Sequence, residues 1–152
     1  MARKNYYGAQ FNQSPTIVEK AGADIDDVRN LIMKFDENGD VVPATAGTDM
    51  PVGIALIEAG YNDISGKESG KVVKGDDVDI LVKDRGVCIA GADIKKGQEV
   101  AAGANGMAVV AAAGDYVLGV AMDAAATGEY LTVQITKYQK GAAASAAEEG
   151  TV

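Results

Sequence analysis

Two Asn-Gly pairs, Asn38-Gly39 and Asn105-Gly106, stand between short apolar runs, and they narrow the possible folds more than any other feature of the chain. Asn and Gly both tolerate positive φ, so this pair between apolar segments is a strong local signal for a tight β-hairpin. Around the first pair, Leu31-Ile32-Met33-Lys34-Phe35 leads into the polar stretch Asp36 to Asp40 and then Val41-Val42, so Val28 to Ala44 reads as one hairpin. Around the second, Val100-Ala101-Ala102 precedes and Met107-Ala108-Val109-Val110 follows. Antiparallel β-structure is the consequence.

Alternation supports the same class. Val78, Ile80 and Val82 are separated by Asp79 and Leu81, and Leu131, Val133 and Ile135 by Thr132 and Gln134. A period of two predicts half-buried strands with those residues facing a core. The string Asp93 to Glu99 reads as a tight turn entering a strand, and Ala23 to Arg29 could form one short helical turn capped by Asp24. Long helical periodicity is absent. One internal similarity appears: Pro51-Val52-Gly53-Ile54-Ala55-Leu56 matches Val117-Leu118-Gly119-Val120-Ala121-Met122 in the order of glycine, β-branched residue, alanine and larger apolar residue. The plainer reading is two strands with similar packing demands, glycine permitting close backbone approach; the other is a duplicated β-unit.

A chain of 152 residues fits one domain, and a domain of this size buries roughly 70% of its unfolded surface. Alanine supplies much of the 47% hydrophobic content, Trp is absent and Phe occurs twice. Aromatics contribute far more burial per residue than alanine, so the core is expected to be thin and association a source of further stability. The single cysteine, Cys88, lies in the apolar run Val87 to Ala90 and reads as a buried core residue.

The formal charge of −8, from 22 acidic and 14 basic residues, repels phosphate backbones, so neither nucleic acid nor an anionic membrane surface is an expected partner. No apolar run approaches a bilayer span and the polar start lacks a secretory signal, so synthesis and assembly in a cytoplasm are the expectation.

Histidine is absent, which removes most zinc sites and imidazole general bases. Near-motifs fail on spacing. Gly66 to Val72 has three residues between its glycines where a phosphate loop needs four, and Val72 where a magnesium-binding hydroxyl belongs. No Ser-x-x-Lys pair exists, since Ser65 and Ser69 each precede a lysine by two. A calcium loop around Asp36 would place Lys34 at its first ligand and Thr45 at its last. The pairs Asp26-Asp27, Asp76-Asp77 and Glu148-Glu149 are adjacent, so in extended backbone they point to opposite faces. No catalytic residue, metal ligand or cofactor site is therefore assigned. A biotin- or lipoyl-carrier-like domain is the nearest enzyme-related alternative, weakened because neither Asn-Gly tip carries a lysine and Lys95-Lys96 lacks an adjacent methionine.

The ends differ from the middle. Residues 1–19 show no period and read as an extended arm, 20–138 as the β-rich domain, and 139–152 as an Ala-rich tail of low complexity.

The order of Asp40-Val41-Val42-Pro43-Ala44, Pro51-Val52-Gly53-Ile54-Ala55, Gly86-Val87-Cys88, Ile94 to Val100, Val117 to Met122 and Gly128-Glu129-Tyr130-Leu131-Thr132-Val133 resembles the tailed-bacteriophage capsid cement, or decoration, proteins. The resemblance covers roughly residues 20 to 138. It implies a mainly β fold, a small antiparallel β-barrel or β-sandwich, that binds the outer surface of a bacteriophage head and stabilises it. The implied partners are the major capsid protein and further copies of the chain, commonly in a homotrimer. The expected capsid contacts are Arg3, Lys4, Tyr6, Tyr7 and Phe11, which gather positive charge and aromatic rings in an acidic, aromatic-poor chain; Arg and Tyr are enriched where interfaces concentrate binding energy. The alternative is a secreted or surface β-domain that binds a glycan or a host surface, weakened by the scarcity of aromatics that stack on sugars.

Overall fold

The computed structural model describes residues 14–57, 59–60, 64–65 and 69–142. Its ten strands are β1 (Thr16–Lys20), β2 (Ile32–Phe35), β3 (Val41–Pro43), β4 (Gly53–Ala55), β5 (Asp77–Leu81), β6 (Arg85–Ile89), β7 (Glu99–Ala102), β8 (Ala108–Val110), β9 (Tyr116–Ala121) and β10 (Tyr130–Gln139). Both hairpins form. Phe35 pairs with Val41 across the first and Ala102 with Ala108 across the second. Their tips differ: Asn105 (φ 56°) and Gly106 (φ 70°) are both left-handed, whereas Gly39 (φ 84°) alone takes that conformation in the first. There the Asp36 carboxylate closes the turn by accepting the N–H groups of Asn38 and Asp40.

Two details depart from expectation. Ala23 to Arg29 forms no helical turn, because Ile25 exchanges backbone hydrogen bonds with Val72 and the Asp24 carboxylate accepts the Lys74 N–H instead of capping a helix. The last residues of the segment read as an arm, Thr16 to Glu19, form with Lys20 a strand paired antiparallel to β5, from Thr16 opposite Leu81 to Lys20 opposite Asp77. Its alternation is blurred because it is an edge strand, with Val18 left 56% exposed.

The strands make two antiparallel five-stranded sheets, in the orders β1-β5-β4-β2-β3 and β6-β10-β9-β7-β8. No strand pair joins them among the described residues, so the architecture is sandwich-like and not a closed barrel. Each sheet is built from one half of the chain, and the two orders are the same strand for strand. The hydrogen bonds repeat as well. Ala21 and Ala90 donate to Asp76 and Glu129, Ile25 and Ile94 to Val72 and Ala125, Leu56 and Met122 to Asp79 and Thr132. Ala21-Gly22-Ala23-Asp24-Ile25 recurs unchanged as Ala90-Gly91-Ala92-Asp93-Ile94, and each copy opens its unit with the same parallel bridge, to Val41 or to Ala108. The Gly53 and Gly119 segments are thus β4 and β9, the same place in a duplicated unit, rather than unrelated strands under similar packing demands.

Packing follows from alternation. Along β2, Ile32 and Met33 point to opposite faces, as do Ile54 and Ala55 along β4, and all four are buried. Met33 and Ala55 meet Val28, Val41, Val72, Val78 and Ile80 in a core internal to the first unit. Ile32, Ile54 and the partly buried Leu81 pack with Cys88, Val100, Leu118, Leu131 and Val133 of the second sheet. The first sheet is therefore apolar on both faces. At the equivalent outward positions of the second sheet stand Glu99, Val120 and Gln134, which are partly exposed. Alanine contributes heavily to the core and no aromatic ring is fully buried among the described residues, as the composition leads one to expect. Cys88 is buried, its S–H near the Leu131 carbonyl (3.7 Å), and burial pushes its thiol up to about 12.

Candidate interaction surface

Arg3, Lys4, Tyr6, Tyr7 and Phe11 lie outside the described residues. What the structure adds is apolar surface gathered along the joint between the two units. On one side Ile17, Phe35, Met50, Pro51 and Val82 line a groove of about 500 Å³ with Lys34, Asp49 and Lys137; Phe35 is 47% and Met50 64% exposed. A smaller hollow that shares Met50, Pro51 and Lys137 runs past Tyr116 and Tyr138. On the other side Ile54, Leu56, Ile57, Leu81, Val87 and Tyr130 line a second groove with Asn30 and Arg85. Single exposed apolar residues are ordinary on protein surfaces, but contiguous ones mark interaction sites. Sequence reading misses both grooves, because each joins residues from both halves of the chain.

One partly exposed charge network holds the first groove's wall. Asp49 bonds Lys34 Nζ through Oδ1 (2.9 Å) and accepts the Thr45 N–H (2.8 Å), Thr45 Oγ1–H (2.7 Å) and Ala46 N–H (3.2 Å) through Oδ2. Burial pushes the carboxyl up, but these four hydrogen bonds outweigh it and hold Asp49 far below the usual carboxylate range. A depressed folded pKa contributes stability above the unfolded value, near 4, that is lost as pH falls toward the folded one. Asp49→Ala is expected to cost about 1–3 kcal/mol at neutral pH. Urea unfolding of both proteins should show that difference shrinking as pH falls below about 4; a difference that grows on acidification would contradict the assignment.

Across the joint, Lys137 sits on a β-bulge in β10 with φ 25° and donates Nζ–H to the Val52 carbonyl (2.8 Å). Desolvation lowers its pKa. Nearby Glu99 accepts from Tyr138 Oη and pairs with Lys140 Nζ (3.0 Å), bonds that lower the Glu99 carboxyl and raise the Tyr138 phenol. These contacts fasten the end of β10 to the outward face of the second sheet.

The crystal structure of the head fiber gp8.5 N base of bacteriophage phi29 superposes with a TM-score of 0.57, at 24% identity, over 80% of this chain and 92% of that one. The two share a fold. No protein-family model matches the chain, and no curated protein matches it either. Since the shared region is 80% of this chain, the likeness is to the duplicated architecture as a whole and not to a single hairpin. Identity at this level fixes backbone topology and transfers no individual contact residue.

Proposed function

We propose that this chain is a structural protein of a bacteriophage virion, carried on the outside of the head, where it binds the major capsid protein as a homotrimer and acts as a decoration or cement protein without catalysis. The observation that carries the reading is the fold shared with the head fiber base of phi29 over most of both chains. The acidic chain, with its thin alanine-rich core and exposed apolar grooves, gains stability by burying surface on a lattice. Arg3, Lys4, Tyr6, Tyr7 and Phe11 are the proposed anchor to the capsid, and the grooves serve contacts between copies.

The test uses heads of the phage that encodes the chain, assembled without it. The purified protein is expected to co-sediment with these heads in fixed proportion and, in reconstructions, to stand as three copies around three-fold or quasi-three-fold positions. Deleting residues 2–11 should leave circular dichroism unchanged and weaken binding about thirty-fold or more, as loss of a hot spot worth roughly 2 kcal/mol would. Unchanged affinity would move the contact to the sandwich, single copies at hexamer centres would remove the trimer, and binding to host cells but not heads would favour a receptor-binding β-domain.

A further inference from the structure

The duplication gives parts of the joint counterparts elsewhere in the chain, and on the first unit those counterparts are exposed or only partly covered. Within the molecule, the outward face of the first unit, Ile32, Ile54 and Leu81 with Ala44, packs on the second unit. Gly86 lies against the ends of Ile54 and Leu81, where any side chain would overlap both. The tip of the second hairpin reaches back so that Gly106 N–H donates to the Ala44 carbonyl (2.7 Å), and Asn30 Nδ2 donates to the Val87 carbonyl (2.9 Å).

The equivalent positions in the first unit have no such cover. Gly106, Ala102 and Ile135 are buried, whereas their counterparts Gly39 and Phe35 are exposed and Val82 is only partly covered. Gly86 is buried; its counterpart Ile17 lines the groove with Phe35 and Val82. The groove is therefore the first unit's copy of a surface that, in the second unit, another unit covers. The matching outward face belongs to the second unit: Val120, Gln134 and Glu99 stand where Ile54, Leu81 and Ile32 stand in the first, and beside them Val110 is 39% exposed. Lys137 lines the groove, where it bonds the Val52 carbonyl, and Glu99 on that face is already paired with Lys140, so the match between the two surfaces is one of shape and apolar area.

We infer that the groove receives the outward face of the second unit of another copy of this chain, repeating between molecules the packing that joins the two units within one. The contact is head-to-tail: each copy offers one groove and one face, and the two surfaces differ. Such heterologous interfaces build cyclic rings when the rotation closes, and not two-fold dimers. A contact between chains is expected to be more polar than the joint inside one, in keeping with Glu99 and Gln134 replacing Ile32 and Leu81. This deepens the proposed trimer by naming its surfaces, yet it rests on the duplication and not on capsid binding.

The test is made on the full chain in solution. Wild type should sediment as an oligomer, and Phe35→Glu, on an exposed site, should shift it to the monomer with unchanged circular dichroism. The second measurement is a disulfide. By the same repeat Gly39 of one copy would face the Ala111 segment of the next, where the buried Ala111 accepts from its own Lys140 Nζ (3.3 Å), and the exposed neighbours Asn38 and Ala112 would come close. The Asn38→Cys/Ala112→Cys double variant should form intermolecular disulfides on oxidation, and either single variant should not, since Cys88 is buried. A wild type that stays monomeric, an oligomer unmoved by Phe35→Glu with no cross-link in the double variant, or cross-linking by a single variant would each overturn the inference. A monomer that still co-sediments with heads would remove this contact and leave the capsid reading in place.

Discussion

Gly119→Ala is expected to destabilise the protein by about 3 kcal/mol or more, at or beyond the upper end of ordinary overpacking, and Gly53→Ala by a similar amount. A Cβ at Gly119 would overlap the Gln134 carbonyl of the neighbouring β10, and one at Gly53 would overlap the Leu81 carbonyl of β5. These obstacles are backbone atoms inside a hydrogen-bonded ladder, so relief requires strands to part. For a domain of this size each kcal/mol moves the thermal midpoint by about 2–4 °C, so melting should begin roughly 6–12 °C lower in either variant. Gly141, where a Cβ meets nothing within 4 Å, is the control, and Gly141→Ala should melt with the wild type. A Gly119→Ala protein that melts within a degree or two of wild type would show that β9 and β10 do not approach as described.

Ile54→Ala should be nearly as damaging, and far more damaging than Val120→Ala at the same place in the second unit. Ile54 is 1% exposed and sits between the sheets beside Leu81 and Gly86. Removing a buried isoleucine down to alanine costs about 2–5 kcal/mol, because transfer energy is lost and a cavity remains. Val120 is partly exposed on the outward face, and its truncation should cost the isolated subunit less than about 1 kcal/mol. Chemical denaturation of both variants at subunit concentrations too low for association separates them. Equal losses would mean that the two outward faces are equally covered in the monomer, contrary to the packing of the sheets. At higher concentration, the inferred contact between copies would enlarge the Val120→Ala effect.

Read by itself, the sequence determines the local elements of this protein. Asn38-Gly39 and Asn105-Gly106 place two hairpins, and the alternation at Val78 to Val82 and Leu131 to Ile135 places strands with the observed residues facing inward. Both signals act over a few residues, through turn conformation and side-chain period, so they can be read without knowing what packs against them. Cys88 is likewise predictable, because its neighbours are apolar. Tertiary structure alone decides the rest. Strand β1 owes its existence to pairing with β5, some sixty residues onward in the chain, and carries little pattern of its own. The duplication is half written in the repeated Ala-Gly-Ala-Asp-Ile, but a longer excursion from Leu56 to Val72 than from Met122 to Ala125 breaks any fixed period. Only the common strand order makes the two halves one unit used twice. The grooves need still more, since Ile17 meets Lys137 and Ile54 meets Gly86 only after the sheets have packed. Whether an apolar face such as Ile32 and Ile54 is core or surface depends on what lies across from it, and no run of residues along one strand contains that information.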